Sequence, residues 1–165
     1  MEKTFDVLNR LVEEGIIGKY AVGGAMAALF YTEPAATYDL DIFVVLPRLP
    51  SGLITLGPLY EHLAGLGYKV EGECVDIEGV PVQFLPAYNK LVEESLREAR
   101  TLMYGEIPVP VLAVEYLIAI AIQTGRPKDR IRVTMLMEEA SVDRSLLDRI
   151  LRVHDLVGKG RQWIK

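Results

Sequence analysis

Hydrophobic and polar positions along the chain follow two periods, one typical of helices and one typical of strands. In residues 4–14, Phe5, Leu8 and Leu11 recur at helical spacing, which predicts an amphipathic helix ended by Gly15. The same criteria predict further helices over residues 25–30, 56–66, 89–99, 111–123, 127–139 and 142–157. The chain is therefore predicted to be rich in helix, with short strands interspersed in its first two thirds.

Short apolar segments between these helices predict a small mixed β-sheet. The clearest strand covers residues 39–46, where Asp39 and Asp41 precede a continuous apolar run typical of a strand buried on both faces. Other strands are predicted over residues 20–22 and 101–104, and a β-hairpin over residues 68–77 and 80–85. The pattern predicts an α/β (α+β) fold, with the sheet backed by helices and a helical C-terminal part.

The chain changes character near residue 106, which predicts an α/β core over residues 1–106 and a helical part packed on it over residues 107–165. The apolar run at 109–122 is too short to span a membrane and predicts a buried helix, so no membrane association is expected. Ser141 is predicted to cap the last helix. Residues 159–165 are predicted to be a frayed tail, with docking of Trp163 as the alternative.

Composition narrows the class of protein. Half of the 165 residues are hydrophobic, which is enough for a sizeable core, and the formal net charge of −5 argues against a broad nucleic-acid-binding face. The single Cys74 excludes an internal disulfide, and the N-terminus has no signal-like pattern, so a cytoplasmic location is expected. His62 and His154 are isolated in sequence, which gives no zinc signature.

The candidate chemistry lies in residues 20–46, where Gly23-Gly24 breaks a strand before a helix and Asp39-Leu40-Asp41 opens the next strand. Alternate strand residues share a face, so the two carboxylates are expected roughly 6.5–7 Å apart along the strand. Carboxylates bind hard divalent cations, and glycines at a helix start let backbone N–H groups approach a phosphate. The alternative interpretation is a tight turn with two surface or capping carboxylates.

This combination resembles the nucleotidyltransferase superfamily of DNA polymerase beta, whose signature is a Gly-Gly or Gly-Ser turn followed by a strand with Asp-x-Asp. The segments VQFLPAY, IPVPVLAVEYLIAIAI and GRPKDR extend the resemblance to small bacterial and archaeal nucleotidyltransferase-like proteins, among them the AbiEii-type toxins. The resemblance implies that Gly23 and Gly24 contact nucleotide phosphates. It also implies that Asp39 and Asp41 bind Mg²⁺ (or Mn²⁺) and carry catalysis of nucleotidyl transfer from a nucleoside triphosphate.

The third carboxylate of the superfamily pattern is replaced here. Its place on the hairpin strand is held by Gln83, whose amide can ligate a metal but carries no charge and cannot act as a general base. Asp76 shares the face of Gln83 in the predicted hairpin register, with Val75 opposite Val82, and is the alternative source of a third carboxylate. With neither, the chain would bind a nucleotide without transferring it efficiently.

A second candidate is the segment Arg126-Pro127-Lys128-Asp129-Arg130, which opens a predicted helix. The resemblance implies that Lys128 contacts phosphate and that Asp129 orients it or caps the helix. For Arg130 a solvated helix surface is favoured.

Two functions from different classes follow. The first is a Mg²⁺-dependent nucleotidyltransferase acting on an RNA end (tRNA included), a protein side chain or a small molecule. The second, favoured by Gln83, is a catalytically degenerate nucleotide-binding or partner-binding module with a protein partner, such as one half of a toxin–antitoxin pair. Turnover that depends on Asp39 and Asp41 would separate the two functions.

Overall fold

A computed structural model describes residues 1–33, 37 and 39–164 of the chain. Part of the loop predicted after the helix at 25–30, including Pro34, and Tyr38 just before the Asp39-Leu40-Asp41 segment lie outside the described residues. The described chain folds as a mixed α/β structure, which confirms the predicted fold class.

The strands form one mixed sheet. Its seven strands in the described chain are β1 (Lys19–Val22), β2 (Leu40–Val45), β3 (Lys69–Glu71), β4 (Cys74–Ile77), β5 (Val80–Pro86), β6 (Arg100–Tyr104) and β7 (Ile107–Val111). They lie in the order β3-β4-β5-β2-β1-β7-β6, so β2 is the central strand. It pairs antiparallel with β1 and parallel with β5.

Eight helices in the described residues cover the sheet and build the C-terminal part. They are α1 (Glu2–Glu13), α2 (Gly24–Ala28), α3 (Gly57–Gly65), α4 (Lys90–Arg97), α5 (Val114–Thr124), α6 (Pro127–Glu139), α7 (Arg144–Val153) and α8 (Val157–Trp163). The apolar helix α5 is buried along its length from Val114 to Ile122, as its sequence predicts. In the part of the chain that the structure covers, no helix is both long and apolar enough to cross a bilayer.

The sheet continues beyond the predicted boundary at residue 106. Strands β6 and β7 form a hairpin around Gly105-Glu106, and β7 joins the centre of the sheet through Val111, which pairs with Val22 of β1. The helical part therefore begins at Val114, after the sheet ends, and the predicted helix start at residue 111 is wrong.

Three further predictions need local corrections. The first arm of the predicted hairpin is two strands, β3 and β4, joined at a left-handed Gly72; the predicted pairing of Val75 with Val82 is confirmed. The cap of α7 is Asp143, whose side chain accepts from the Leu146 N–H, rather than Ser141. The C-terminal segment forms α8 instead of a frayed tail, because Gly160 is buried against α7 and Trp163 packs partly against the core.

Candidate functional site

A polar cavity beside the central strand lies between β2 and β5 on one side and α5 and α6 on the other. Its volume is about 470 Å³. The residues that line it are Gly24, Ala25, Thr37, Asp39, Asp41, Phe43, Gln83, Leu85, Tyr88, Leu112, Leu117, Ile120, Ala121, Thr124, Arg126, Lys128, Asp129 and Arg132. The fold thus brings most of the sequence-predicted site residues together.

The glycine turn packs directly against the central strand. The Gly23 N–H donates to the Asp41 carbonyl oxygen at 2.9 Å, and α2 begins at Gly24. Gly24 has a φ of +60°, a left-handed conformation, and a Cβ there would overlap the Asp41 carboxylate. A Cβ on Gly23 would overlap the ring of Phe43. Both glycines are therefore needed for this close approach, and Gly24 borders the cavity.

Asp39 and Asp41 both line the cavity, as their spacing in the sequence predicts. Asp39 is exposed just before β2, whereas Asp41 lies within the strand and is half-buried. Burial raises the pKa of Asp41, and the neighbouring Asp39 raises it further, while Arg132, Lys128 and Arg126 oppose the shift. A buried carboxylate beside a like charge is a place where a bound cation is strongly stabilising.

Gln83 is the immediate neighbour of Asp41 in the sheet. The parallel register of β2 and β5 pairs Asp41 with Gln83, and the Gln83 side chain reaches the cavity. The Gln83 amide nitrogen donates to a Glu73 carboxylate oxygen at 3.1 Å. Within the described residues, no group of three or more Asp, Glu, His or Cys side chains converges as a metal cluster. The cavity residue next to Asp41 on the neighbouring strand is thus an amide.

Asp76 does not line this cavity. Its register partner in β5 is Pro81, and its carboxylate accepts from the Gly79 N–H at 2.9 Å, which closes the turn between β4 and β5. It borders a separate surface depression with Tyr68 and Glu78. Asp76 therefore lies outside the cavity, at the turn end of the hairpin, and its role as a third carboxylate stays a prediction.

The opposite wall of the cavity is basic and is organised by Asp129. The Asp129 side chain is 1% exposed and accepts hydrogen bonds from the backbone N–H and the guanidinium of Arg126 and from the guanidinium of Arg132. Burial by itself raises the pKa of this carboxyl, but the hydrogen bonds from Arg126 and the charge of Arg132 hold the pKa below its usual value. Asp129 caps α6, as predicted, and fixes two cations at the cavity wall.

Lys128 and Arg130 lie on different sides of α6. Lys128 lines the cavity, whereas Arg130 donates to the Gln162 carbonyl oxygen at 3.4 Å and borders a groove beside Trp163. The sequence interpretation of Arg130 as a helix-surface residue outside the site agrees with this position.

Three site residues were not identified from the sequence. Arg132 lies one helical turn after Lys128, so an i, i+4 pattern of cations on one helix face was an available signal. Tyr88 and Thr37 lie in loops, where periodicity carries no information. Tyr88 presents an exposed ring near Phe43, with ring centroids 6.5 Å apart.

The arrangement separates charge across the cavity. Two carboxylates and an amide lie on the sheet side, and Arg126, Lys128 and Arg132 lie on the helix side. Oxygen donors of this kind fit Mg²⁺, which proteins commonly hold through one or two carboxylates together with substrate phosphates. The cations fit those phosphates. The site can therefore take a metal-bound polyphosphate.

Comparisons with known proteins agree on the fold. No protein-family model matches the chain, and a search of curated proteins finds no significant match. A solved structure of an antigenic nucleotidyltransferase-like protein from Paracoccidioides brasiliensis superposes with a TM-score of 0.60 at 15% identity, over 99% of this chain and 94% of the other.

A second similar structure is ANT(2'')-Ia in complex with adenylyl-2''-tobramycin. It superposes with a TM-score of 0.53 at 15% identity, over 92% of this chain and 96% of the other. A solution structure of the antibiotic-resistance factor ANT(2'')-Ia gives 0.51 at 17% identity, over 98% and 92%. The chain thus has a nucleotidyltransferase-like fold, and its likeness to AbiEii-type toxins stays a prediction.

Proposed function

We propose that the protein is a Mg²⁺-dependent nucleotidyltransferase that moves a nucleoside monophosphate from a nucleoside triphosphate to an acceptor hydroxyl. The observation that carries the proposal is the cavity in which Asp39 and Asp41 face Lys128, Arg126 and Arg132. This separation of charges suits a metal–triphosphate pair, and the nucleotidyltransferase-like fold supports the same reaction class.

Each part of the site has a role in this proposal. Asp39 and Asp41 hold the metal, which would supply charge neutralisation at the attacking and leaving oxygens. Gly23 and Gly24 let the backbone approach the phosphates, and Lys128 binds them as a compact point charge. Asp129 acts indirectly, because its carboxylate is occupied by Arg126 and Arg132 and positions them. Mn²⁺ would fit the same oxygen donors as Mg²⁺.

The acceptor is an RNA end, a protein side chain or a small molecule. The solved complex of ANT(2'')-Ia with adenylyl-2''-tobramycin favours a small-molecule hydroxyl as one of these alternatives.

A second function is favoured by one observation. Because Gln83 replaces the third carboxylate, and no group of three acidic, His or Cys ligands forms within the described chain, the site lacks an obvious general base. The protein would then be a nucleotide-binding module that acts through a protein partner, as in a toxin–antitoxin pair.

The first experiment is a calorimetric titration of a panel of nucleoside triphosphates, with and without Mg²⁺. Mg²⁺-dependent binding that Asp39→Asn/Asp41→Asn removes would support the metal–nucleotide site, and pyrophosphate release would then separate transferase from binding module. If no triphosphate binds the wild type, the proposed function is overturned.

A further inference from the structure

The sheet side of the cavity has two carboxylates, those of Asp39 and Asp41. A third carboxylate, that of Glu73, lies just outside the cavity and is hydrogen-bonded to Gln83. Glu73 lies in the turn between β3 and β4, directly before Cys74. Its carboxylate accepts the Gln83 side-chain N–H at 3.1 Å, and Gln83 is the register partner of Asp41. A hydrogen-bonded path therefore runs from the hairpin turn through Gln83 to the carboxylate side of the cavity.

The contact fixes the orientation of the Gln83 amide. An ionised carboxylate can only accept hydrogen bonds, so the amide must turn its NH₂ group toward Glu73. The carbonyl oxygen of the same amide is then the atom left for the cavity that Gln83 lines. That oxygen is the only atom of the glutamine side chain able to ligate a hard cation.

The same hydrogen bond adjusts the chemistry of the amide. A negative charge at the NH₂ end pushes electron density toward the carbonyl oxygen. Groups that hydrogen-bond to a metal ligand from outside the metal's coordination sphere orient that ligand and strengthen its bond to the metal. In metal sites, a carboxylate that accepts the second N–H of a ligating histidine orients the ring and raises its basicity. The Glu73 carboxylate is placed to act on the Gln83 amide in the same way.

The surroundings of Cys74 support the closeness of these groups. Burial raises the pKa of the Cys74 thiol, and the charges of Asp39, Asp41 and Glu73 each raise it further. All three carboxylates therefore act on the pKa of one thiol. Glu73 is thus close to the aspartate pair although it does not line the cavity.

We propose that Glu73 is a positioning residue of the metal site, which orients the Gln83 amide so that its oxygen completes the donor set begun by Asp39 and Asp41. The third negative charge then lies on Glu73, which acts on the metal through the Gln83 amide. The inference rests on the proposed metal site and goes beyond it by assigning a function to a residue outside the cavity.

The inference accounts for the glutamine without making the site degenerate. A carboxylate at position 83 would lie in hydrogen-bonding distance of Glu73, and two like charges there would repel. Gln83 and Glu73 are therefore a matched pair, and only a joint exchange should restore the ordinary three-carboxylate arrangement.

The test uses Mn²⁺ as the probe and the full chain. Binding is followed by the loss of the free Mn²⁺ signal in electron paramagnetic resonance, for wild type, Glu73→Gln, Gln83→Glu and the exchanged pair Glu73→Gln/Gln83→Glu. Glu73→Gln should weaken Mn²⁺ binding about tenfold. The exchanged pair should bind at least as well as the wild type, and better than Gln83→Glu alone.

Glu71→Gln is the matched control. Glu71 is exposed on β3, opposite Cys74 in the register, so its change removes the same charge from the same hairpin. If Glu71→Gln weakens Mn²⁺ binding as much as Glu73→Gln does, the effect is general electrostatics and the positioning role is overturned.

A second readout requires no turnover. The chain has three glutamines and two asparagines, so side-chain amide signals are few in a ¹⁵N-resolved NMR spectrum. The Gln83 signals should shift in Glu73→Gln and broaden on addition of Mn²⁺, ahead of those of Gln123 and Gln162. Unbroadened Gln83 signals in a protein that binds Mn²⁺ would overturn the inference.

The outcomes distinguish this inference from the proposed function. Wild type that binds Mn²⁺ no better than Asp39→Asn/Asp41→Asn overturns the metal site and the inference with it. Wild type that binds through the aspartates, with Glu73→Gln unchanged, overturns the inference alone.

Discussion

Arg126 and Asp129 form a two-point ion pair at the start of α6, in which Nε donates to Oδ2 at 2.7 Å and Nη2 donates to Oδ1 at 3.1 Å. The Arg126 backbone N–H also donates to Oδ2, at 3.2 Å. One buried carboxylate therefore starts a helix and fixes a guanidinium at the cavity wall. A change at Asp129 is therefore expected to affect both the stability of the fold and the proposed nucleotide binding.

The first prediction is that Asp129→Asn destabilises the fold. An amide has one acceptor oxygen instead of two, carries no charge and would turn its NH₂ group against Arg126, so we expect a loss of about 3 kcal/mol in the free energy of unfolding. Urea denaturation of the wild type and the variant measures this difference.

The difference should depend on pH. Although burial raises the pKa of Asp129, hydrogen bonds from Arg126 lower it below the ordinary value of 3.8. The stabilisation is therefore fully present above that value and is lost as the pH falls through the lower folded-state pKa. A difference between wild type and Asp129→Asn that stayed constant on acidification would contradict the ion pair.

The second prediction separates Lys128 from Arg130. Lys128→Ala should weaken binding of a Mg²⁺–triphosphate by about 1 kcal/mol, close to a factor of five in Kd, because an exposed lysine acts on the phosphates through a screened charge. Arg130→Ala removes a cation from the same helix but from the side that faces Gln162, so it should leave Kd unchanged. Calorimetry on both variants measures Kd. Equal losses of affinity in Lys128→Ala and Arg130→Ala would mean that the positive charge of the helix acts at long range and that Lys128 makes no direct contact with the phosphates.

The glycine turn and the aspartate pair could be predicted from sequence because their geometry is local. The alternation of a strand puts Asp39 and Asp41 on one side, and Gly23-Gly24 marks a break that few other residue types permit. In the structure Gly24, Asp39 and Asp41 line the same cavity. The resemblance to the nucleotidyltransferase superfamily also implied a place for Gln83 on the neighbouring strand, and the parallel register of β2 and β5 pairs it with Asp41.

Strand β7 was missed because Pro108 and Pro110 discourage a strand assignment. The strand tolerates the two prolines because β7 pairs along its whole length with β6 but with β1 only at Val111. Few backbone N–H groups on the β1 side of β7 are therefore needed for hydrogen bonds, and proline has none to offer. The contact of Glu73 could not be predicted from the sequence alone, because it depends on how the hairpin pairs, whereas Arg132 was overlooked although its i, i+4 spacing from Lys128 is visible in the sequence. Gln83 lies ten residues from Glu73, across a hairpin.

The third prediction concerns Gly24, which has a matched control in Gly15. Both have left-handed φ values, +60° and +72°, so an alanine at either should cost about 1–2 kcal/mol in stability. Only at Gly24 does the new methyl group overlap the Asp41 carboxylate, whereas nothing lies within 4 Å at Gly15. Gly24→Ala alone should weaken Mg²⁺–nucleotide binding, by about tenfold or more.

Urea denaturation and calorimetry on the two alanine variants separate these effects. We expect both variants to lose stability, Gly24→Ala by at least as much as the control because of the overlap with Asp41, and only Gly24→Ala to lose binding. Equal Kd values for the two variants would mean that Asp41 does not depend on the glycine turn for its position.

The fourth prediction concerns a polar network outside the cavity that joins α4, α5 and the end of α7. Glu94 accepts from the Tyr116 hydroxyl at 2.7 Å and contacts His154 Nε2 at 2.7 Å. Burial raises the pKa of Glu94, but the two hydrogen bonds outweigh it and lower the pKa below its ordinary value of 4.5. Glu94→Gln should therefore cost about 1–2 kcal/mol at neutral pH.

The sign of the pH dependence follows from the lowered pKa of Glu94. Its stabilisation is complete above 4.5 and disappears as the pH falls through the folded-state pKa, so the wild type and Glu94→Gln should converge in stability under acid. Tyr116→Phe is the control, because it removes one hydrogen bond and keeps the carboxylate. Urea denaturation across this pH range measures the convergence, and calorimetry measures Mg²⁺–nucleotide binding. Convergence in acid together with unchanged binding in both variants would show that the network stabilises the helical part without contributing to the site.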